Sequence, residues 1–319
     1  MASRFWVGGT GTWDASTTTH WSATSGGSGG ASVPTSADTV TIDANSGSPT
    51  ITLGANTASA PITVTGGTNT LTSAGFTVTG NITVNGSTAT LQLGDALTCS
   101  LAITLTAGTF NTNSKSVACT QFVSTGTTAR TLTLSSTMTI SNGGSLTLWN
   151  VTSTGLTLTM TSGAIVLNAT GSVVFNGGGV STYGSVTIQS VNVNATITPT
   201  ITGANTFTSL IVTAASAGAA TSSSSVTLSA NQTVTGTLTF AGTSTKLRLF
   251  VQSDTLGTQR TITNTGATQS GWQYVDFRDI ALSTVYDASA ITGGSGDCGD
   301  NGQTFSARPW GKTPRGSRS

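Results

Sequence analysis

Short runs in which threonine alternates with an aliphatic residue recur through most of the chain. Examples are residues 62–64, 131–134, 156–160 and 238–240. Alternate side chains of a β-strand point to opposite faces, so the pattern predicts strands with one buried and one hydrated face. Threonine suits the hydrated face, because its branched side chain favours extended backbone and its hydroxyl is polar without charge. The sequence therefore predicts an all-β protein.

Glycine recurs near the ends of these runs at irregular intervals. Examples are Gly108, Gly126, Gly143, Gly163 and Gly178. Irregular spacing in the high teens is typical of a β-solenoid, in which each coil supplies two or three short strands. We therefore predict a parallel β-helix or closely related β-solenoid. At that spacing, residues 50–290 are predicted to form about twelve to fourteen coils, which at about 4.8 Å each make a rod of roughly 60 Å.

Serial β-sandwich domains are the competing architecture. They would need strands about 8–12 residues apart joined by hairpins. Asn-Gly pairs, which favour tight hairpins, begin only at positions 85, 142, 176 and 301. The scarcity of hairpin signals favours the solenoid, and the sandwich stays open as the alternative.

Three zones follow from the distribution of repeats and aromatic residues. Residues 1–48 are predicted to form an N-terminal cap or docking segment, 49–250 the solenoid body, and 251–319 a C-terminal coil, cap and tail. The stretch 216–225 is interpreted as a loop or break between two parts of the stack. Solenoid ends need atypical sequences to cover core and strand edges. Tryptophans concentrate in the two end zones and are the candidate docking or capping residues: Trp6, Trp13, Trp21, Trp272 and Trp310.

Charge is scarce, and this limits the functions that the chain can perform. Only 7% of the residues are charged and the formal net charge is +1. We expect no nucleic-acid partner, because the body holds no patch of Lys and Arg to neutralise phosphates. The cationic tail is interpreted as a solvated terminus and contains Arg308, Lys312, Arg315 and Arg318. The sequence contains no run of about 18 apolar residues, so it predicts no membrane span.

Residues able to do chemistry are few. His20 is the single histidine and is interpreted as a surface residue rather than a catalytic base. Cys99 and Cys119 lie about one repeat apart, so stacked buried thiols are favoured over a disulfide. Cys298 stands alone. We predict no cofactor and no metal ion.

Carboxylates near the C-terminus are the candidates for an enzyme acting on polysaccharide, which we rank third. Hydrolysis of a glycosidic bond needs two carboxylates about 5–10 Å apart. Asp276 and Asp279 flank Arg278, and we expect Asp276 to pair with Arg278 on an exposed face. A loose oxygen-rich loop formed by Asp297, Asp300 and Asn301 is interpreted as a turn rather than a calcium site. We therefore predict that the chain is not an enzyme.

Several phrases resemble large Gly/Thr-rich β-solenoid proteins found among bacterial surface adhesins and tailed-phage structural proteins. The resemblance lies in residues 6–13 (WVGGTGTW), 33–40 (VPTSADTV), 108–113 (GTFNTN) and 272–277 (WQYVDF). It implies a parallel β-helix with a surface or virion role and carries over no catalytic residue. It also implies a homo-oligomer, with a trimer as the expected state.

These observations lead to a functional expectation. We expect a non-enzymatic phage virion protein on the particle surface, either a capsid decoration (cement) protein or a short spike or fibre. Residues 1–20 show no secretory signal, which fits synthesis in the host cytoplasm and exposure on the released particle. Its partners would be capsid or tail proteins and sister chains. The alternative is a glycan-binding adhesin or receptor-binding fibre module.

Overall fold

The chain folds as a stack of short parallel strands. The computed structural model describes residues 2–58, 60–142, 146–190, 196–214, 223–266, 268–283, 291–299 and 301. These residues form an all-β solenoid of about ten turns, with a single 3-10 turn at Ala44–Ser46 as their helical element. The predicted fold class is confirmed.

The described residues contain thirty strands. In chain order they are β1 (Ser3–Trp6), β2 (Gly11–Trp13), β3 (Trp21–Ser22), β4 (Thr39–Ile42), β5 (Thr50–Leu53), β6 (Ile62–Val64), β7 (Thr68–Thr72), β8 (Thr77–Val78), β9 (Ile82–Leu93), β10 (Leu97–Cys99), β11 (Ala102–Asn111), β12 (Val117–Cys119), β13 (Gln121–Ser124), β14 (Arg130–Thr133), β15 (Thr137–Ser141), β16 (Leu146–Val151), β17 (Leu156–Thr159), β18 (Ala164–Ala169), β19 (Val173–Asn176), β20 (Tyr183–Ser190), β21 (Thr200–Thr202), β22 (Thr206–Thr213), β23 (Ser224–Leu228), β24 (Gln232–Ala241), β25 (Leu249–Ser253), β26 (Arg260–Asn264), β27 (Thr268–Gln269), β28 (Gln273–Arg278), β29 (Ile280–Leu282) and β30 (Thr292–Asp297).

Parallel pairing between successive turns builds three faces. Sheet A contains β1, β4, β6, β9, β11, β13, β16, β19, β21, β23, β25, β28 and β30. Sheet B contains β2, β5, β7, the ends of β9 and β11, β14 and β17. Later in the stack, the first residues of β22 and β24 pair with each other, and β26 and β29 follow them. Sheet C contains β8, β10, β12, β15, β18, β20, β22, β24 and β27. The pairing excludes serial sandwiches, which are built from antiparallel strands.

The length of a turn changes along the stack. Ile103 pairs with Phe122 across a short turn, whereas Phe122 pairs with Trp149 across a distinctly longer one. The turn from Phe122 to Trp149 contains both Gly126 and Gly143 in sequence, so the interval between glycines understates the length of a turn, and the prediction of twelve to fourteen coils was too high. About ten turns at roughly 4.8 Å each give a stack of about 50 Å.

The core is filled by the aliphatic residues that the alternation predicted, and by aromatic rings in the longer turns. The middle of the stack holds Phe122, Trp149, Phe175, Tyr183 and Phe207, all at most 1% exposed. Phe122 stacks on Trp149 at 4.7 Å, and Tyr183 stacks on Phe207 at 5.4 Å. Larger rings fit here because the longer turns enclose a wider cross-section. Aromatic residues are therefore not confined to the two end zones.

Candidate functional site: the N-terminal cap and the charged turns

The first strand of sheet A is covered by a strand that runs against it. β3 pairs with β1 in antiparallel register, Trp6 opposite Trp21, while every other strand pairing within the described residues is parallel. The other side of β1 pairs with β4. An open edge would offer unpaired N–H and C=O groups to another chain. Strand β3 therefore closes this edge of the solenoid.

The three N-terminal tryptophans form the packing behind this edge. Trp6 and Trp21 are fully buried, and Trp13 is 4% exposed. The ring of Trp21 meets the edges of Trp6 at 5.1 Å and of Trp13 at 4.9 Å. Edge-to-face packing of this kind stabilises a compact aromatic cluster. These rings close the end of the core, and the fully buried Trp6 and Trp21 are shielded from any ligand.

His20 belongs to the same cap and is not a free surface residue. Its ring stacks on Trp6 with centroids 4.8 Å apart and planes within 1°. Its Nδ1 lies 3.1 Å from the Val7 carbonyl oxygen, which can only accept a hydrogen bond, so Nδ1 carries the proton. A Cβ added to Gly11 would clash with the imidazole ring. Glycine at this position lets the imidazole lie across β2.

A cleft of about 230 Å³ lies beside the cap. Its walls include Trp13, Asp14 and Val33 from the N-terminal segment, and Ala55 and Asn56 from the turn after β5. The sequence did not reveal it, because its two sides are far apart in the chain. Only the pairing of β2 with β5 brings them together.

The carboxylate of Asp14 organises the turn at the edge of this cleft. Its Oδ1 accepts hydrogen bonds from the backbone N–H groups of Ser16 at 2.7 Å and Thr17 at 2.6 Å. Its Oδ2 accepts one from the Thr17 hydroxyl at 2.7 Å. These donors, the Thr17 N–H first, lower the pKa of Asp14 from 3.8 to about 2. The group is therefore charged throughout the physiological range.

At the C-terminal end, the predicted pairing of Asp276 with Arg278 is wrong. The Oδ2 of Asp276 accepts a hydrogen bond from Nε of Arg248. Arg248 is 9% exposed and also donates to the carbonyl oxygens of Val275, Gly293 and Gly294. It thus ties β28 to β30. No sequence pattern indicated this contact, because Arg248 lies on the preceding turn, far from Asp276 along the chain.

The remaining candidate carboxylates contact groups close to them in the chain. Arg278 Nε lies 3.5 Å from Oδ2 of Asp279, which is buried and adopts a φ of 54°. Asp297 Oδ1 accepts hydrogen bonds from the N–H of Gly299 and the side-chain amide of Asn301. Asp300 lies outside the described residues. Within the part of the chain that the structure describes, no three His, Cys, Asp or Glu side chains are grouped as a metal site.

Arg130 is a buried cation that sequence reasoning did not single out. It is 2% exposed. Its guanidinium donates to the carbonyl oxygens of Ser124, Thr128, Thr152 and Thr154, and to the Ser124 and Thr152 hydroxyls. The planar fork of five N–H donors suits such a ring of acceptors. It therefore links turns that are adjacent in the stack.

The cysteines are all reduced. Cys99 and Cys119 are buried and Cys298 is exposed. The pairing of Leu97 with Val117 and Thr98 with Ala118 puts Cys99 and Cys119 in register on neighbouring turns. Burial raises the pKa of Cys119 to about 12, and the neighbouring Cys99 adds to this rise. The structure has the stacked thiols that we expected.

Of the C-terminal tryptophans, Trp272 is described and Trp310 lies outside the described residues, as do the four cations of the tail. Trp272 is 5% exposed and packs on Phe240 at 5.3 Å. Its Nε1 donates to the Leu238 carbonyl oxygen at 2.6 Å. Trp272 thus occupies the last part of the core.

Most of the stretch 216–225, interpreted as a break, also falls outside the described residues.

Comparisons with known proteins found no relative of this chain. No protein-family model matches it, and neither the curated proteins nor the solved structures give a match. Within the described ranges, no helix has the length and apolar character that crossing a membrane requires.

Proposed function

We propose that this protein is a non-enzymatic structural component of a phage particle surface. It would act as a capsid decoration protein or as a short spike or fibre. The observation that carries the proposal is the form of the molecule: a parallel stack whose leading sheet A edge is closed by β3. Such a stack is a rigid spacer of fixed length.

The distribution of charge supports the same role. The buried cations Arg130 and Arg248 donate hydrogen bonds to backbone oxygens of neighbouring turns, so they reinforce the stack. The outer side of the strands is largely threonine, which is hydrated without charge. The virion assignment itself is supported by the resemblance of the entry, body and closing phrases to phage solenoid proteins.

The assembly state tests the oligomeric part of the proposal. We expect light scattering after size exclusion to give the mass of three chains of 31.7 kDa each. A monomer at all concentrations would contradict a trimeric spike and leave a decoration protein that docks as a single chain.

The proposed location on the particle surface is tested by labelling intact phage particles. Antibodies raised against the purified protein, with a gold-labelled secondary antibody, should decorate intact particles sedimented from a culture that produces the chain. Label confined to the soluble fraction, with bare particles, would overturn the virion role. Pre-absorption of the antibody with purified protein is the control and should abolish the label.

A further inference from the structure

The cleft beside the N-terminal cap combines apolar surface with two polar groups, one a hydrogen-bond acceptor and the other a donor. Trp13, Val33, Pro34 and Ala55 contribute apolar surface, and Asp14 and Asn56 contribute polar groups. Its volume of about 230 Å³ is below the range of drug-sized sites and suits a single small ring.

The two polar groups are held in place by contacts with the backbone. Asn56 is exposed, and its Oδ1 accepts the N–H of Thr77 at 2.8 Å, which leaves the Nδ2 amino group as the donor. Asp14 is anchored by the N–H groups of Ser16 and Thr17. A carboxylate oxygen can accept more than one hydrogen bond, and Oδ2 receives one, from the Thr17 hydroxyl. The cleft thus presents a fixed acceptor and a fixed donor.

We propose that this cleft binds one neutral pyranose ring of a surface glycan. The hydroxyls of a sugar each donate and accept, so they complement a lining that holds both an acceptor, Asp14, and a donor, Asn56. The C–H face of the ring complements the apolar surface. The charge of Asp14 disfavours anionic ligands. This binding activity goes beyond the structural role and does not depend on it.

The test uses the full chain and saturation-transfer NMR. The probes are the methyl pyranosides of glucose, galactose, mannose and N-acetylglucosamine. At least one should bind with a dissociation constant in the millimolar range, which is typical of so small a contact. Asn56→Asp keeps the acceptor for Thr77 but replaces the donor by a second acceptor. We expect it to weaken binding by about tenfold or more, because a sugar hydroxyl loses its partner.

Asn81→Asp is the matched control. Asn81 is also exposed, and its Oδ1 accepts the N–H of Ala102 at 3.1 Å, but it lies outside the cleft. Its binding should equal that of the unmodified chain. Ala15→Trp, which fills the cleft from an exposed lining position, should abolish binding without lowering the melting temperature.

Three outcomes would overturn the proposal. The first is that no probe binds even at tens of millimolar. The second is that Asn56→Asp and Ala15→Trp bind sugar as well as the control does, and the third is that calcium binds at Asp14 while no sugar does. Each leaves the assembly and particle-labelling results untouched, so failure here is distinguishable from failure of the structural role.

Discussion

At the residue scale, buried polar groups decide how firmly neighbouring turns are held. Arg130 has no carboxylate partner, yet all three nitrogens of its guanidinium donate to oxygens within the described residues. A buried cation is tolerated when its donors are satisfied. The guanidinium can therefore stay buried because the surrounding oxygens accept its hydrogen bonds.

Replacing Arg130 by methionine should be strongly destabilising. Methionine fills the aliphatic volume but removes every hydrogen bond of the guanidinium, including the two buried ones to Ser124, so we expect a loss of about 2 kcal/mol or more in the free energy of unfolding. Denaturant unfolding followed by circular dichroism measures it. Arg260→Met is the control, since Arg260 forms a partly exposed pair with Asp254 and should cost less than about 1 kcal/mol. Equal losses would refute the assigned role.

The three cysteines should differ sharply in reactivity. The thiolate is the reactive form, and burial raises the pKa of both Cys99 and Cys119. At pH 8 a thiol reagent should therefore modify one cysteine per folded chain, Cys298, and all three in denaturant. Cys298→Ser should show no reaction when folded. Rapid reaction of two or three thiols in the folded chain would contradict the buried ladder.

At the element scale, the central turns are joined by a polar contact inside the aromatic stack. The Tyr183 hydroxyl accepts a hydrogen bond from Trp149 Nε1 at 2.9 Å and donates one to the Gly177 carbonyl oxygen at 2.9 Å. Burial also raises the pKa of Tyr183, which keeps the hydroxyl protonated. This contact links β16 to β20 across the core.

Tyr183→Phe should cost about 1–3 kcal/mol, because it leaves the buried Trp149 Nε1 without its acceptor. Trp149→Phe removes the donor but also creates a cavity, so a double-mutant cycle is needed to isolate the hydrogen bond. We expect the double variant to be more stable than the sum of the two single losses implies. Strict additivity, measured by chemical denaturation, would mean that the bond contributes nothing.

At the scale of the whole molecule, a solenoid remains a discrete molecule only if its ends are closed. The cap does this through β3 over β1 and through His20 lying over Gly11. Without it, β4 and β5 would become the terminal strands and would expose their edges.

Removing residues 1–32 should therefore cause end-to-end association. Light scattering should show a mass that rises with protein concentration, unlike that of the full chain. Gly11→Ala should act in the same direction more mildly, because the added Cβ displaces His20. Gly171→Ala, where an added Cβ meets nothing within 4 Å, is its control. A truncated chain with the same mass as the full chain at every concentration would show that the cap does not protect the edge.

The sequence alone determined the class of fold and the direction of most side chains. Alternation of period two is a local property, so runs such as residues 131–134 predicted strands, the buried leucines and the hydrated threonines. Repetition of such runs predicted parallel stacking, because each strand meets a near-copy of itself on the next turn.

Only the tertiary structure decided the lengths of the turns, the partner of Asp276, the burial of Arg130 and the cleft between Asp14 and Asn56. Each depends on the register between strands that are a full turn or more apart in the chain. A single added residue in a turn changes which side chains meet across it. Composition and periodicity carry no record of that register, and so the cleft beside the cap exists only in the stacked turns.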